Sequence, residues 1–551
     1  MTLQAQTEWN IPKETVRVAR AAYPKGHLYL KLRDALGSIY QDEAFAHLFP
    51  HNGHPAEAPW RLALITVFQF LEDLPDRQAA DAVRGRIEWK YALGLELTDP
   101  GFDASVLCEF RKRLVEGGAE HLLLEALLSL FKERGWLKGR QKQRTDSTHV
   151  LARVRAINRL MCVGEAMRFA LNSLATVAPD WLLSHDNPEW VERYGHRIEE
   201  GLLPQRQEER LALAEVIGQD GTRVLSAIWE EGAPVFLRVI PAIEILRQIW
   251  IQNYYWEERQ IHWREADNLP AASLFLNSPY DPDARYSKKR TTAWTGYKVH
   301  LSETCDETLP HLITHVATTK ATKTDEEMTE NIHRELDRKD LLPATHLVDT
   351  GYVSAELLVV AAQRFGVEIL GPALPDSHWQ KKLETGFDLS QFQIDWERRQ
   401  ATCPAGQISR SWNSYRDAHH QPLIEVQFAS RDCGRCPCKD RCIRSRVKYA
   451  HRSLTLRPQE QHEALQAART RQQTPEFKRE YALRAGIEAT ISQGVRAFGL
   501  RRSRYCGEAK THLQHLGIAA AINLVRVGAW LGGEGPAPTR ISAYERLYDV
   551  A

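Results

Sequence analysis

Two aspartates stand where short predicted strands end, a position suited to catalysis. Asp146 is predicted to end a strand within Lys142–Val150, and Asp349 ends the apolar strand HLVD at 346–349. A carboxylate at the end of a buried strand projects from the rim of a sheet, where α/β proteins usually bind ligands. Either aspartate alone is more simply explained as the cap of a turn or a helix. Two such strand ends in one sheet make a functional site an equally good interpretation.

A third carboxylate, Glu488, shares a predicted helix face with Tyr481 and Arg484, because the three follow i, i+3, i+7 spacing. The simpler interpretation is a surface salt bridge between Arg484 and Glu488. Gathered together, however, three carboxylates would suit two divalent ions, which activate the attacking oxygen and stabilise the leaving oxygen in phosphodiester cleavage. Mg²⁺ or Mn²⁺ prefers such oxygen ligands.

A second kind of site is indicated by cysteines, five of which lie between residues 376 and 457. Cys403, Cys433, Cys436 and Cys442 predict a structural four-thiolate zinc site, with Cys438 competing for one position. Free thiols in a loop-rich segment are the alternative. Nine cysteines, without a secretion signal in the first ten residues, predict a reducing cytoplasm.

Positive charge is concentrated in one segment, although the formal net charge of the chain is only +1. Residues 444–510 contain 15 Lys or Arg and 6 Asp or Glu, a local excess of +9. The run Arg501, Arg502, Arg504 with Tyr505 follows the Glu488 helix and suits a phosphate backbone. A solvated surface is the alternative interpretation. Basic N-terminal helices, with arginines at 77, 84, 86, 111 and 113, are a second candidate for reading DNA.

The elements around these residues predict an α/β protein with large helical parts. Helical patterns cover residues from about 28 to 135 and from about 151 to 270, where six tryptophans are available for a core. Strands and helices alternate from about 290 to 373, and Thr324 with Glu327 forms a predicted capping box. Residues 458–500 read as helical. The apolar stretch 513–531 contains four polar residues, so it predicts a buried helix rather than a membrane span.

Several long motifs occur in order along nearly the whole chain. They are RTDSTHVLARVRAINRL (144–160), RYSKKRTTAWTGYKVHLSETCD (285–306), HLVDTGY (346–352), CPAG (403–406), CGRCPCKDRC (433–442), YALRAGIEATISQGVRAFGLRRSRY (481–505) and KTHLQHLGIAAAINLVR (510–526). With these motifs the chain resembles bacterial DDE-type insertion-sequence transposases, specifically the insertion sequence 1182 family. One position departs from the motif of related families: Val495 stands where they have a lysine, with Arg496 adjacent.

The resemblance implies that Asp146, Asp349 and Glu488 form a catalytic triad that binds Mg²⁺ or Mn²⁺. It also implies metal-dependent DNA cleavage at transposon ends, strand transfer into target DNA, and a homodimer on double-stranded DNA. The residues expected to contact DNA are Tyr481, Arg484, Arg496, Arg501, Arg502 and Arg504. A related nuclease that does not join strands and a catalytically inactive DNA-binding relative remain the alternatives.

The implied fold is an RNase H-like mixed sheet flanked by helices, interrupted by two insertions. The expected domains are a helical DNA-end-binding domain (1–138), a catalytic core (139–150, 285–375 and 458–532), a helical insertion after the first strand (151–284), a Cys-rich insertion (376–457) and a tail (533–551). A cytoplasmic protein, associated with the nucleoid when bound to DNA, is expected.

Overall fold

The structure is a computed structural model that describes residues 3, 10–50, 52–53, 56–376, 378–383, 385–418, 420–447 and 449–535. It contains two compact units. The first comprises residues 1–138, 146–323 and 487–551, and the second comprises residues 139–145 and 324–486. Most of the predicted tail, residues 536–551, lies outside the described residues.

The first unit begins with a set of helices, as the sequence predicts. Their bounds are α1 (Lys13–Ala22), α2 (Leu28–Leu36), α3 (Pro59–Leu71), α4 (Asp76–Gly85), α5 (Ile87–Leu93), α6 (Ser105–Glu116) and α7 (Leu122–Glu133), with a 3-10 helix at Asp42–Leu48. Eleven of the thirteen residues of α3 are buried, so this helix is surrounded by other elements on nearly all sides. It therefore forms the centre of this helical region.

The first unit continues with strand β1 (Gln143–Leu151), whose first three residues belong to the second unit, and with the helical insertion. The insertion contains α8 (Arg159–Val177), α9 (Pro179–His185), α10 (Glu189–Tyr194), α11 (Gln207–Trp229) and α12 (Pro241–Asn253). These helices enclose a hydrophobic core of their own. Of the predicted core tryptophans, Trp190 and Trp250 are buried, whereas Trp229 and Trp256 are exposed.

A β-hairpin corrects the prediction that residues 151–270 are all helical. Strands β2 (Tyr254–Glu257) and β3 (Gln260–Trp263) pair antiparallel across a two-residue turn. Glu258 and Arg259 form that turn with φ angles of 46° and 69°. Tight hairpin turns with two positive φ angles usually use Asn-Gly or Asp-Gly. The usual sequence signal for a hairpin is therefore missing here.

The sheet strands of the first unit follow this hairpin. They are β4 (Arg285–Lys289), β5 (Thr292–Thr304) and β6 (Ile313–Lys320). The long strand β5 pairs antiparallel with β4 along its first part and with β6 along the rest, and β1 is its other neighbour. The predicted strand pair at 294–304 and 311–318 is thus confirmed.

The second unit alternates strands and helices before it reaches the Cys-rich segment. Its first elements are α13 (Glu326–Arg338), β7 (Thr345–Val348), α14 (Ala355–Phe365) and β8 (Glu368–Leu370). Strands β1, β7 and β8 pair in parallel, in that order. Thr324 and Glu327 exchange the hydrogen bonds of the predicted capping box. Parallel pairing in one part and antiparallel pairing in the other make the protein a mixed α/β fold.

The Cys-rich segment is more regular than its sequence suggests. It contains helices α15 (Trp379–Lys382), α16 (Ser430–Arg435) and α17 (Lys439–Cys442), the hairpin β9 (Gln393–Asp395) and β10 (Gln400–Thr402), and the antiparallel sheet β11 (Ser411–Arg416), β12 (Pro422–Gln427) and β13 (Ser453–Leu456). Four helices complete the described chain. They are α18 (Gln459–Arg471), α19 (Pro475–Ala482), α20 (Ala485–Ala497) and α21 (Glu508–Leu531).

Helix α21 is buried in the first unit, where it packs against α3 and β6. Its polar residue Asn523 accepts a hydrogen bond from the Ile313 backbone N–H at 2.7 Å and donates to the Ile313 carbonyl at 2.9 Å. The side chain thus pairs with the first residue of β6. In the part of the chain that the structure describes, no helix is both long and apolar enough to cross a membrane.

Candidate active site

The two aspartates follow the last paired residues of the β1–β7 ladder. Thr145 pairs with Val348 at the end of that ladder, and each is followed in the sequence by an aspartate, Asp146 and Asp349. Each carboxylate accepts a hydrogen bond from the backbone N–H of the residue after it, at 2.7 Å for Asp146 and 2.6 Å for Asp349. Each aspartate thus accepts the same type of local backbone hydrogen bond.

The predicted strand Lys142–Val150 is confirmed as β1, but the prediction that Asp146 ends it is wrong, because β1 continues to Leu151. What ends at this point is the pairing with β7, since the chain after Val348 turns into a 3-10 helix at Thr350–Tyr352. Strand β1 then continues beside β5 in the first unit. The sequence of β1 alone does not show where its pairing with β7 ends.

A buried polar chain fixes the register of these strands within the second unit. The Thr145 hydroxyl lies 2.6 Å from Nε2 of His346, and Nδ1 of His346 lies 2.8 Å from Nε2 of His333. All three side chains are buried. Burial lowers the pKa of His333 to about 4 and holds the pKa of His346 well below its ordinary value. Both rings are therefore neutral at pH 7 and serve as hydrogen-bonding links between α13, β7 and β1.

Arg484 lies beside the second aspartate. Its Nη2 is 3.9 Å from Oδ2 of Asp349, and the arginine side chain is 13% exposed against 44% for the aspartate. The predicted helix face shared by Tyr481, Arg484 and Glu488 is wrong, because α19 ends at Ala482 and Arg484 lies in the turn before α20. Tyr481, in α19, stacks on Phe477 with the ring planes 15° apart. A positive charge and an aromatic ring thus lie on the segment that leads to Glu488. Such groups can contact a phosphate and a base or sugar.

Arg144 holds the turn that precedes the Glu488 helix. Its guanidinium is buried and Nη1 donates to the Leu483 carbonyl at 2.5 Å. A methyl group at Gly486 would come within 2.0 Å of that nitrogen, so glycine is needed where the guanidinium crosses the chain. The type of residue at 486 therefore controls how closely Arg144 can approach this turn.

Glu488 is an exposed residue in the first turn of α20, and the opposite side of that helix is anchored in the first unit. Thr490, about 200° around the helix from Glu488, donates to Oε2 of the buried Glu303 at 2.6 Å. Arg526 of α21 donates to the same Glu303 oxygen at 2.7 Å and to the Thr490 hydroxyl at 2.6 Å. These hydrogen bonds hold the Thr490 side of α20 against β5 and α21. Glu488 therefore lies on the exposed side of the helix.

The predicted DNA-contacting arginines differ in their surroundings. Arg496 and Arg502 are exposed. Arg501 donates from Nε to the Thr148 hydroxyl at 2.8 Å. Arg504 binds Asp73 and the Leu74 carbonyl, and its guanidinium lies over Phe70, so much of its hydrogen-bonding capacity is used inside the first unit. The exposed guanidiniums of Arg496 and Arg502 are better suited to a phosphate than that of Arg504.

The four cysteines of the predicted zinc site, Cys403, Cys433, Cys436 and Cys442, line one small cavity in the second unit. No group of three or more His, Cys, Asp or Glu side chains among the described residues has the geometry to hold a metal ion as it stands. The described carboxylates and thiols are thus suitable ligand types for metals, but they are not arranged around a common metal position.

Sequence reasoning missed the residues that support this region. Glu303 is a carboxylate inside an otherwise buried strand, and Arg526 is the one arginine in the apolar stretch 513–531. A charged residue in such a setting signals a buried partner. Which partner it has depends on the packing of β5, α20 and α21, and this is not encoded in any local pattern.

Two segments of the chain match known protein families. Residues 402–528 match the family described as Transposase DDE domain, and residues 17–113 match the family described as Transposase domain (DUF772). The chain carries a DDE transposase domain. Both matches indicate a DNA transposase, and Glu488 lies inside the DDE match whereas Asp146 and Asp349 precede it. No curated protein and no solved structure matches the chain significantly.

Proposed function

We propose that this protein is a transposase of the insertion sequence 1182 type, with an RNase H-like core, that cleaves the ends of its element and joins them to target DNA. The observation that carries the proposal is the register of β1 and β7. Their last pair, Thr145 and Val348, is followed in both strands by an aspartate. The carboxyl ends of parallel strands are where open α/β sheets bind ligands.

We propose Asp146, Asp349 and Glu488 as the ligands of the catalytic metal. Their hard carboxylate oxygens are the ligands that Mg²⁺ and Mn²⁺ prefer. Both aspartates also accept a backbone hydrogen bond, and the Arg484 guanidinium lies 3.9 Å from Asp349. Two bound ions would supply activation of the attacking oxygen and stabilisation of the leaving oxygen.

The surrounding residues would bind and orient the DNA. Arg484 and Tyr481 are suited to hold the phosphate next to the cleaved bond or the flanking strand. Arg496, Arg501 and Arg502 would contact the phosphate backbone, a role that does not depend on base sequence. The helical residues 1–138 are the proposed domain for recognising the transposon ends. Because two ends must be held together, we expect a homodimer when DNA is bound.

Cleavage of the element's own ends tests the proposal. A duplex containing these ends is incubated with purified protein and Mg²⁺, Mn²⁺ or EDTA, and the cut positions are mapped. We expect metal-dependent cuts at the element boundary and, with target DNA present, joined products. Asp349→Asn removes one ligand charge while preserving shape, so it should abolish cleavage but not binding. Asp337→Asn changes an exposed aspartate at the end of α13 and is the matched control.

Each outcome separates the candidate functions. Cleavage retained in Asp349→Asn would contradict the assignment of that ligand. Cleavage without joined products would indicate a nuclease that does not transfer strands. Binding to the ends without any cleavage by the unaltered protein would indicate a catalytically inactive relative.

A further inference from the structure

Four of the five cysteines in the Cys-rich segment converge on one point of the second unit. Cys403 follows β10, Cys433 lies in α16, Cys436 follows that helix, and Cys442 ends α17. All four line a cavity of about 30 Å³. Cys438 is not among the described residues that line it, although it is only two positions from Cys436. Four of the five thiols in this segment therefore face the same cavity, and the fifth does not line it.

The chain around Cys403 forms a tight turn in which one backbone N–H donates to the sulfur. The Gly406 N–H donates to the Cys403 carbonyl at 2.8 Å, and the Gln407 N–H donates to the Cys403 Sγ at 3.3 Å. Gly406 has a φ of 78°, which favours glycine at this position. This turn therefore fixes the position of the Cys403 sulfur at the wall of the cavity.

The four sulfurs are close enough to affect each other electrostatically. Burial, followed by the neighbouring thiols Cys433, Cys403 and Cys436, raises the pKa of Cys442 to about 11, and Arg452 opposes this shift. The pKa of Cys433 is raised mainly by burial and further by Cys403 and Cys436. These electrostatic contributions place the thiols of Cys403, Cys433, Cys436 and Cys442 near one another in the second unit.

Arg452 provides positive charge at the edge of the same cavity. Its side chain lines the cavity, and its buried Nε has no hydrogen-bond partner within the described part of the chain. Four thiolates around one divalent ion carry a net charge of −2. A guanidinium beside them would offset part of that charge and could donate to a sulfur. Arg452 thus has a free donor where a thiolate site would need one.

We propose that Cys403, Cys433, Cys436 and Cys442 bind one Zn²⁺ in a tetrahedral site next to Arg452. Binding replaces four S–H bonds with four Zn–S bonds and releases four protons to solvent. Because the described side chains do not form a closed metal shell as they stand, the sulfurs would have to move to about 2.3 Å from the ion. Four protein ligands leave no open position, so the zinc would be structural.

The site would stabilise a part of the chain that has little hydrophobic core. The core beside it consists of six buried residues: Phe392, Ala401, Val426, Phe428, Leu454 and Leu456. Small scaffolds with few buried residues commonly need a metal or a disulfide for stability. Cys403, Cys433 and Cys442 pack directly against this core. Zinc would connect the turn after β10 to α16 and α17 on either side of it.

Metal content tests the proposal independently of DNA cleavage. Untagged full-length protein, purified from medium supplemented with zinc, should contain one zinc per chain by elemental mass spectrometry. Cys436→Ser should lose the metal, whereas Cys438→Ser, the matched control from the same segment, should retain it. Absence of zinc from the unaltered protein, or equal loss from both variants, would overturn the assignment.

Alkylation of the unaltered protein gives a second measurement, which does not depend on the folding of any variant. The native protein is alkylated with and without prior treatment with a zinc chelator, and each cysteine is quantified by peptide mass spectrometry. We expect the chelator to increase labelling at Cys403, Cys433, Cys436 and Cys442 together, with Cys438 labelled in both samples. Labelling of the four that does not respond to the chelator, or a response at Cys438 instead of Cys436, would contradict the proposed ligand set.

Discussion

Replacing Gly486 by alanine tests how the turn before the Glu488 helix is held. An alanine Cβ would lie 2.0, 2.2 and 2.4 Å from the Nη1, Cζ and Nη2 atoms of Arg144, distances that real Cβ atoms do not reach. Arg144 is only 5% exposed, so its guanidinium can make room only by leaving the Leu483 carbonyl. A hydrogen bond to a charged group contributes about 1.5–3 kcal/mol.

Alanine also has a higher intrinsic helix propensity than glycine, by about 1 kcal/mol. The expected net cost for Gly486→Ala is therefore about 0.5–2 kcal/mol, which corresponds to roughly 2–30-fold in the equilibrium between closed and open forms. Hydrogen exchange of the backbone amides near residues 483–488 measures this local opening directly. We expect exchange there to accelerate by that factor. Gly85→Ala, at the end of α4 with nothing within 4 Å, is the control.

A double-mutant cycle separates the clash from other effects of the alanine. In an Arg144→Ala background the obstructing guanidinium is absent, so Gly486→Ala should be neutral or slightly stabilising. If Gly486→Ala accelerates exchange equally in both backgrounds, Arg144 is not the reason that glycine is required. An effect no larger than that of Gly85→Ala would also refute the reasoning.

Two further predictions concern buried ionisable side chains. Arg526→Met should destabilise the first unit by about 3–5 kcal/mol, because it leaves the fully buried Glu303 without its cation; a urea-unfolding midpoint unchanged from the unaltered protein would contradict this. Because burial lowers the folded-state pKa of His333 to about 4, its contribution to stability is complete above pH 6.5 and lost as the pH falls toward 4. His333→Gln should therefore flatten the loss of stability between pH 7 and pH 5, and an unchanged pH dependence would show that this ring does not titrate on unfolding.

Some features of the fold follow from local sequence patterns. The helices from α2 to α7, the alternation of strands and helices after residue 290, and the capping box of Thr324 and Glu327 all depend on spacing within a few residues. Helices and strands can be predicted from such patterns because the periodicity of apolar side chains reflects which face of an element is buried. The hairpin at 254–263 was missed because its turn uses Glu258 and Arg259, which carry no turn signal.

The sequence by itself determined the kinds of residue available for a site. These are carboxylates near the ends of apolar strands, a tyrosine and an arginine shortly before Glu488, and a cluster of five cysteines. Only the tertiary structure decided that the pairing of β1 with β7 ends before the two aspartates while β1 continues. It also decided that the Arg144 guanidinium packs against Gly486, and that Cys438 does not line the cavity of the other four cysteines. The physical reason is that these facts depend on contacts between residues far apart in the chain. Local composition sets what an element can be, whereas the packing of distant elements sets which of its side chains meet.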